Sequence, residues 1–167
     1  MNLEQFFSSK RELLDLGKAW FGISLMFANL LTDFSFSLQF LVTLLISAFT
    51  GGIGFLIHEL AHKIMAQKMG IRAEFRSFDQ MLIIGILMSF AGFVFAAPGA
   101  VMIMGFPNEE EKGKIATSAI LGSLVVALVF LILQIFFVSP LITRVASYGS
   151  YINSWIGLFN LIPFLNF

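Results

Sequence analysis

Five consecutive residues, His58-Glu59-Leu60-Ala61-His62, have the types and the spacing of a metal site. On an α-helix, residues four apart project from one face, so the imidazoles of His58 and His62 can bind a single metal ion. Glu59 lies one residue further along, within reach of a water molecule at that ion. Two nitrogen ligands beside a carboxylate favour Zn²⁺. We therefore predict that His58 and His62 are metal ligands and that Glu59 is the general base of a zinc-dependent peptide hydrolysis.

The surroundings of this motif strengthen the prediction. The chain has only two histidines, and both fall in the motif, inside an apolar segment. Polar side chains in such a segment carry a desolvation cost that a bound cation would offset. The alternative is a pair of buried histidines that hydrogen bond to neighbouring groups, with Glu59 paired to Lys63.

A second polar group, Asn160-Leu161-Ile162-Pro163, lies near the end of the chain in another apolar segment. A proline removes one intrahelical hydrogen bond and frees a carbonyl, and an amide is costly to bury in lipid. This pattern predicts an irregular helix end, where Asn160 has a catalytic role and hydrogen bonds to the substrate backbone or to the developing oxyanion. In the alternative, Pro163 ends a span and Asn160 hydrogen bonds across helices.

The composition shows which elements must position these residues. Of the 167 residues, 58% are hydrophobic and only 12% are charged, with a mean hydropathy of +0.91, whereas soluble domains are about a quarter charged. We therefore expect an integral membrane protein with a single domain, residues 1–167.

Ten basic and ten acidic residues leave no net charge, so no nucleic-acid partner is indicated. The absence of cysteine excludes disulfides and thiolate metal sites.

Four apolar segments are long enough to cross about 30 Å of hydrocarbon. The expected fold class is an all-α polytopic membrane protein with about four transmembrane helices. The segments are Ala19–Phe36, Leu38–Met65, Ile115–Val138 and Val145–Phe164.

The region 71–112, between the second and third spans, has a different pattern. Apolar and polar residues alternate with period two over Ile71–Asp79, and Ala100–Met104 follows a Pro-Gly turn, so both segments are predicted strands of a hairpin. The apolar stretch Met81–Gly105 contains residues that break helices. The acidic run Pro107–Lys112 is predicted to be a solvated loop.

Topology indicates that Met81–Gly105 is re-entrant on the cytoplasmic side. The resemblance of the two motifs to the site-2 protease family implies a further metal ligand after the last span, so the histidines and the end of that span must meet at one depth. The second and fourth spans must then run in the same direction. With the N-terminus in the cytoplasm, nine of the ten basic residues then lie on the cytoplasmic side. If Met81–Gly105 crossed the membrane fully, eight basic residues would lie on the cytoplasmic side and two outside. The nine are Lys10, Arg11, Lys18, Lys63, Lys68, Arg72, Arg76, Lys112 and Lys114, with Arg144 outside.

The N-terminal residues 1–17 carry both acids and bases before any long apolar run, unlike a cleaved signal peptide. Ser9 and Glu12 have the spacing of a capping box, which favours an interfacial amphipathic helix. A frayed tail is the alternative.

The two motifs in this order, with a span between them, resemble the site-2 protease family, which comprises zinc metalloproteases that cut substrate helices inside the membrane. The resemblance covers the chain from about Leu38 to its end. It implies an intramembrane zinc metalloendopeptidase whose partners are a transmembrane protein substrate and the lipid bilayer. It says nothing about the oligomeric state.

Two features depart from the family pattern. In the family, the second motif reads N-x-x-P-x-x-x-x-D-G and its aspartate is the third zinc ligand, so we expect that aspartate directly after Phe167, and the printed chain would be truncated just before it. The family also often has Gly-Pro followed by Asn at the start of the third span, whereas this chain has Leu121-Gly122-Ser123. An inactive pseudoprotease that binds transmembrane helices is therefore the alternative function. A prenyl-protein-type metalloprotease needs a later glutamate ligand, and no glutamate follows Glu111.

Overall fold

A computed structural model describes residues 9–32, 35, 37–94 and 98–161. This part of the chain is mostly helical, with one small sheet. Its elements in chain order are α1 (Lys10–Thr32), α2 (Leu38–Ser47), a π-helical turn (Ala48–Gly52), α3 (Ile53–Lys68), β1 (Arg72–Ser77), α4 (Asp79–Ser89), β2 (Gly99–Met104), α5 (Glu109–Phe136) and α6 (Pro140–Phe159).

Helix α1 includes residues of both the predicted N-terminal segment, 1–17, and the first predicted span, which were expected to be separate elements. It runs through Gly17 without a break, so the second half of the predicted N-terminal segment is continuous with the first predicted span. Ser9 caps the helix, because its Oγ accepts a hydrogen bond from the Glu12 backbone N–H at 3.1 Å. The start of the predicted interfacial helix, residues 1–8, lies outside the described residues.

Two helices are long and apolar enough to cross a membrane, judged over the residues that the structure describes. One is the continuous 31-residue helix Leu38–Lys68, formed by α2, the π-turn and α3, and the other is the 28-residue α5. Helix α5 begins at Glu109, so the prediction of a loop over Pro107–Lys112 was wrong from Glu109 onward. Asn108 and Glu111 form a capping box, and acidic residues in a first turn complement the helix dipole.

The predicted hairpin is confirmed. Strands β1 and β2 pair in antiparallel orientation, with Phe75 opposite Val101. The first strand ends at Ser77, two residues earlier than expected, because Asp79 begins α4. The 11 residues of α4 extend only about 16 Å, which is too short to cross the hydrocarbon layer.

Helix α6 begins five residues before the predicted fourth span, at Pro140. A proline suits the first turn of a helix because its missing N–H would have no partner there. The main core lies where α1, α3 and α6 meet, and its fully buried members include Ile23, Phe27 and Ile152.

Candidate metal centre

The two histidines of the first motif lie side by side on α3. Their ring centroids are 4.9 Å apart and the ring planes meet at 87°. His58 is buried and His62 is partly buried. The spacing of four residues on a regular helix therefore brings both imidazoles to one face, as the motif predicts.

Helix α5 provides a hydrogen-bond partner for one nitrogen of each imidazole. His58 Nδ1 lies 2.9 Å from Ser123 Oγ, and His62 Nδ1 lies 3.1 Å from the Ile115 carbonyl oxygen. A carbonyl oxygen can only accept, so His62 Nδ1 carries the proton and its Nε2 keeps a lone pair. A serine hydroxyl can accept from His58 in the same way. This is the arrangement in which a metal-binding histidine donates its other N–H to the protein.

Glu59 is also buried, and its Oε2 has no hydrogen-bond partner in the part of the chain described. A buried carboxylate oxygen without a partner is rare, because it loses its hydration and gains nothing in return. The alternative partner, Lys63, lies against another acid: its Nζ is 2.5 Å from Glu12 Oε1 on α1. Among the described residues, one oxygen of the Glu59 carboxylate therefore has no donor.

Asn160 follows the last residue of α6 and lies close to His58. Its side chain interacts with the His58 imidazole, and its Nδ2 donates to the Ile156 carbonyl at 2.8 Å. The end of α6 and the first motif therefore lie at the same level. Pro163, the other member of the second motif, lies outside the described residues.

The close approach of α3 and α6 depends on Gly54, one helical turn before His58. A Cβ at this position would lie 1.7 Å from Asn153 Oδ1. Asn153 is fully buried and donates from Nδ2 to the Thr50 and Gly149 carbonyl oxygens. No role was predicted for Asn153, although an amide inside an apolar helix was a visible signal.

These residues fit zinc as an incomplete site. Within the described ranges, no group of three or more His, Cys, Asp or Glu side chains converges as a metal site. The observations that support zinc are the two imidazoles with their Nδ1 atoms bonded to α5, and the orphaned carboxylate oxygen of Glu59.

Comparison with known proteins finds a relative in Methanocaldococcus jannaschii named "Putative zinc metalloprotease". It is 35% identical over 158 residues, which cover 93% of this chain and 79% of the relative. Neither a family model nor a solved structure matches the chain.

Proposed function

Because the chain belongs to the zinc metalloprotease family of its archaeal relative, we propose that it is an intramembrane zinc metalloendopeptidase that hydrolyses peptide bonds in transmembrane segments of other proteins. One observation carries the proposal: two imidazoles of α3 are oriented by α5, and the residue directly after the first of them, Glu59, has a buried carboxylate with an unpartnered oxygen. Burying an unpartnered carboxylate oxygen destabilises a purely structural helix. In metal-assisted hydrolysis, such an oxygen can accept a proton from water.

His58 and His62 would hold the zinc ion through Nε2, since Nδ1 of each ring is bonded to α5. When bound, zinc supplies Lewis-acid chemistry, which polarises the scissile carbonyl and lowers the pKa of a water molecule. Every other step falls to side chains of this chain.

Glu59 accepts the proton of the attacking water and later returns it to the leaving amine. Its position supports both steps, because the carboxylate is adjacent to His58 in sequence and Oε2 has no competing donor among the residues described. The burial of Glu59 also limits access of bulk water.

Asn160 binds the substrate carbonyl in this proposal. Its Nδ2 carries two N–H groups, one of which donates to the Ile156 carbonyl, so the second remains for a substrate oxygen. The contact with His58 keeps the amide beside this proposed metal ligand. A fixed donor of this kind stabilises a developing oxyanion.

The hairpin offers a place for the extended substrate. The Phe75 backbone N–H donates to Glu12 Oε1 at 3.0 Å, so α1 occupies the outer edge of β1 at this point. Val101 lies opposite Phe75 in the antiparallel pair. Because the Phe75 N–H points away from β2, the two residues form a non-hydrogen-bonded pair. The backbone N–H and C=O of Val101 therefore point away from β1, to the outer edge of β2. We propose that an unwound substrate segment adds to the β2 edge, at Gly99, Val101 and Ile103.

The membrane arrangement is part of the same proposal. The helix Leu38–Lys68 and α5 cross the bilayer, and α1 from Ala19 onward and α6 add two further spans. The short α4 and β2 form the re-entrant excursion. With the N-terminus in the cytoplasm, nine of the ten basic residues lie on the cytoplasmic side.

The test is cleavage of a single-span substrate by the purified protein in lipid vesicles, together with the zinc content. We expect cleavage that a chelator abolishes and that Glu59→Gln reduces by about 100-fold or more. The matched control, Glu110→Gln, makes the same chemical change at an exposed ion pair and should keep wild-type activity. Cleavage that survives Glu59→Gln would overturn the proposal. Binding of zinc and substrate without cleavage would instead support the pseudoprotease.

Asn160→Ala tests the second motif separately. It should lower cleavage by orders of magnitude while the zinc content changes far less. Equal loss of both would show that Asn160 only maintains the metal site.

A further inference from the structure

Lys63 lies four residues after Glu59, on the same face of α3. A glutamate followed by a lysine at this spacing is the orientation that forms ion pairs on helices, with Cβ atoms about 5–6 Å apart. Both side chains are buried: Glu59 is 7% exposed and Lys63 is 1% exposed. Buried charges require a partner, so these two residues would pair unless another group intervened.

Glu12 is the group that intervenes. Its carboxylate is fully buried, lies 2.5 Å from Lys63 Nζ, and comes from α1, 51 residues away in the sequence. The same oxygen accepts from the Phe75 backbone N–H at 3.0 Å, and Ser9 caps the turn that carries Glu12. Three elements thus fix the Glu12 carboxylate in place, and Lys63 points to it.

We propose that Glu12 is a positioning residue that holds Lys63 away from Glu59, so that the Glu59 carboxylate stays unpaired and available to the reaction. The inference rests on the role of Glu59 in the proposed function. Glu12 itself touches neither the substrate nor the metal ligands in this scheme.

The proposal predicts that Glu12→Gln and Lys63→Met affect catalysis differently, whereas a purely structural role of the ion pair predicts similar losses. Glu12→Gln and Lys63→Met break the same buried ion pair, and each leaves one buried charge without the other member of that pair. Only Glu12→Gln leaves a lysine that can turn to Glu59. In Lys63→Met, and in the double variant with both changes, no lysine is present to capture the carboxylate.

The experiment measures kcat, KM and zinc content of these three variants with the single-span substrate. We expect Glu12→Gln to lower kcat by about tenfold or more, since general-base catalysis contributes about 100-fold or more, with KM and zinc content nearly unchanged. Lys63→Met and the double variant should keep kcat near the wild-type value. The control is Glu110→Gln, which breaks an exposed Glu–Lys pair with Lys114. Equal loss in Glu12→Gln and Lys63→Met, or full activity in Glu12→Gln, would overturn the inference.

A second measurement does not depend on activity. Thermal unfolding of single and double variants at positions 59 and 63 gives the coupling between Glu59 and Lys63. We expect almost no coupling in the wild-type background and favourable coupling in the Glu12→Gln background. Identical coupling in both backgrounds would refute the inference even if the wild-type protein cleaved nothing. A wild type that cleaves nothing would refute only the proposed function.

Discussion

Replacing Gly54 with alanine tests the packing that brings the two motifs together. The new Cβ would lie 1.7 Å from Asn153 Oδ1 and 2.6 Å from its Cγ, both far inside van der Waals contact. Asn153 is fully buried between α3 and α6, so its amide can move only by giving up its hydrogen bonds or by pushing the helices apart.

The expected cost follows from these contacts. Overpacking of a tight interior costs about 1–3 kcal/mol. Loss of the Asn153 hydrogen bonds to the Thr50 and Gly149 carbonyl oxygens adds about 1 kcal/mol for each. Alanine regains about 1 kcal/mol because it favours a helix more than glycine does. We therefore expect Gly54→Ala to lower the free energy of unfolding by about 2–4 kcal/mol, or the melting temperature by about 4–16 °C.

The assay is thermal unfolding in detergent together with substrate cleavage. Gly122→Ala is the matched control, because the nearest atom to its new Cβ would be Ala61 Cβ at 3.6 Å, an ordinary contact. It should leave stability unchanged or raise it by up to about 1 kcal/mol. Cleavage should fall in Gly54→Ala, since moving α3 from α6 separates His58 from Asn160. A Gly54→Ala protein as stable and active as the Gly122→Ala protein would refute the packing argument.

Three further predictions concern α5 and the polar surface. Ser123→Ala removes the hydroxyl beside His58 Nδ1 and should weaken zinc binding by about 10- to 100-fold, as measured by competition with a chelator; unchanged affinity would contradict the positioning role. Asn108→Ala removes the cap of α5 and should lower the free energy of unfolding by about 1 kcal/mol; a change no larger than that of an exposed substitution would count against the cap. The hydrogen bond from Lys18, followed by that from Ser77, lowers the pKa of Asp79 below its ordinary 3.8, so this contribution to stability is present above that pH and is lost as the pH falls below it. Asp79→Asn should therefore flatten the decline in melting temperature as the pH falls below about 4, and an unchanged slope would refute this source of acid sensitivity.

The sequence by itself determined the features that depend on local periodicity. The spacing of His58 and His62 fixed their common face, because a helix repeats every 3.6 residues whatever surrounds it. Alternation with period two indicated the first strand of the hairpin, the Pro-Gly turn indicated the second, and apolar length indicated the long helices Leu38–Lys68 and α5. The boundaries were less well predicted, because capping at Asn108 and the proline that begins α6 extend helices beyond their apolar runs.

The tertiary structure decided which partner each buried polar group takes. Lys63 could pair with Glu59 on its own helix, yet it pairs with Glu12 on α1. The His58 imidazole meets a serine 65 residues away, and Asn153 fills the space that Gly54 leaves. Sequence patterns report neighbours along one element, whereas a buried charge or amide takes the partner that the packing of distant elements brings within hydrogen-bonding distance. For this reason the predicted metal-binding motif could be read from the sequence, but the contacts of its imidazoles with α5 and the pairing of Lys63 with Glu12 could not.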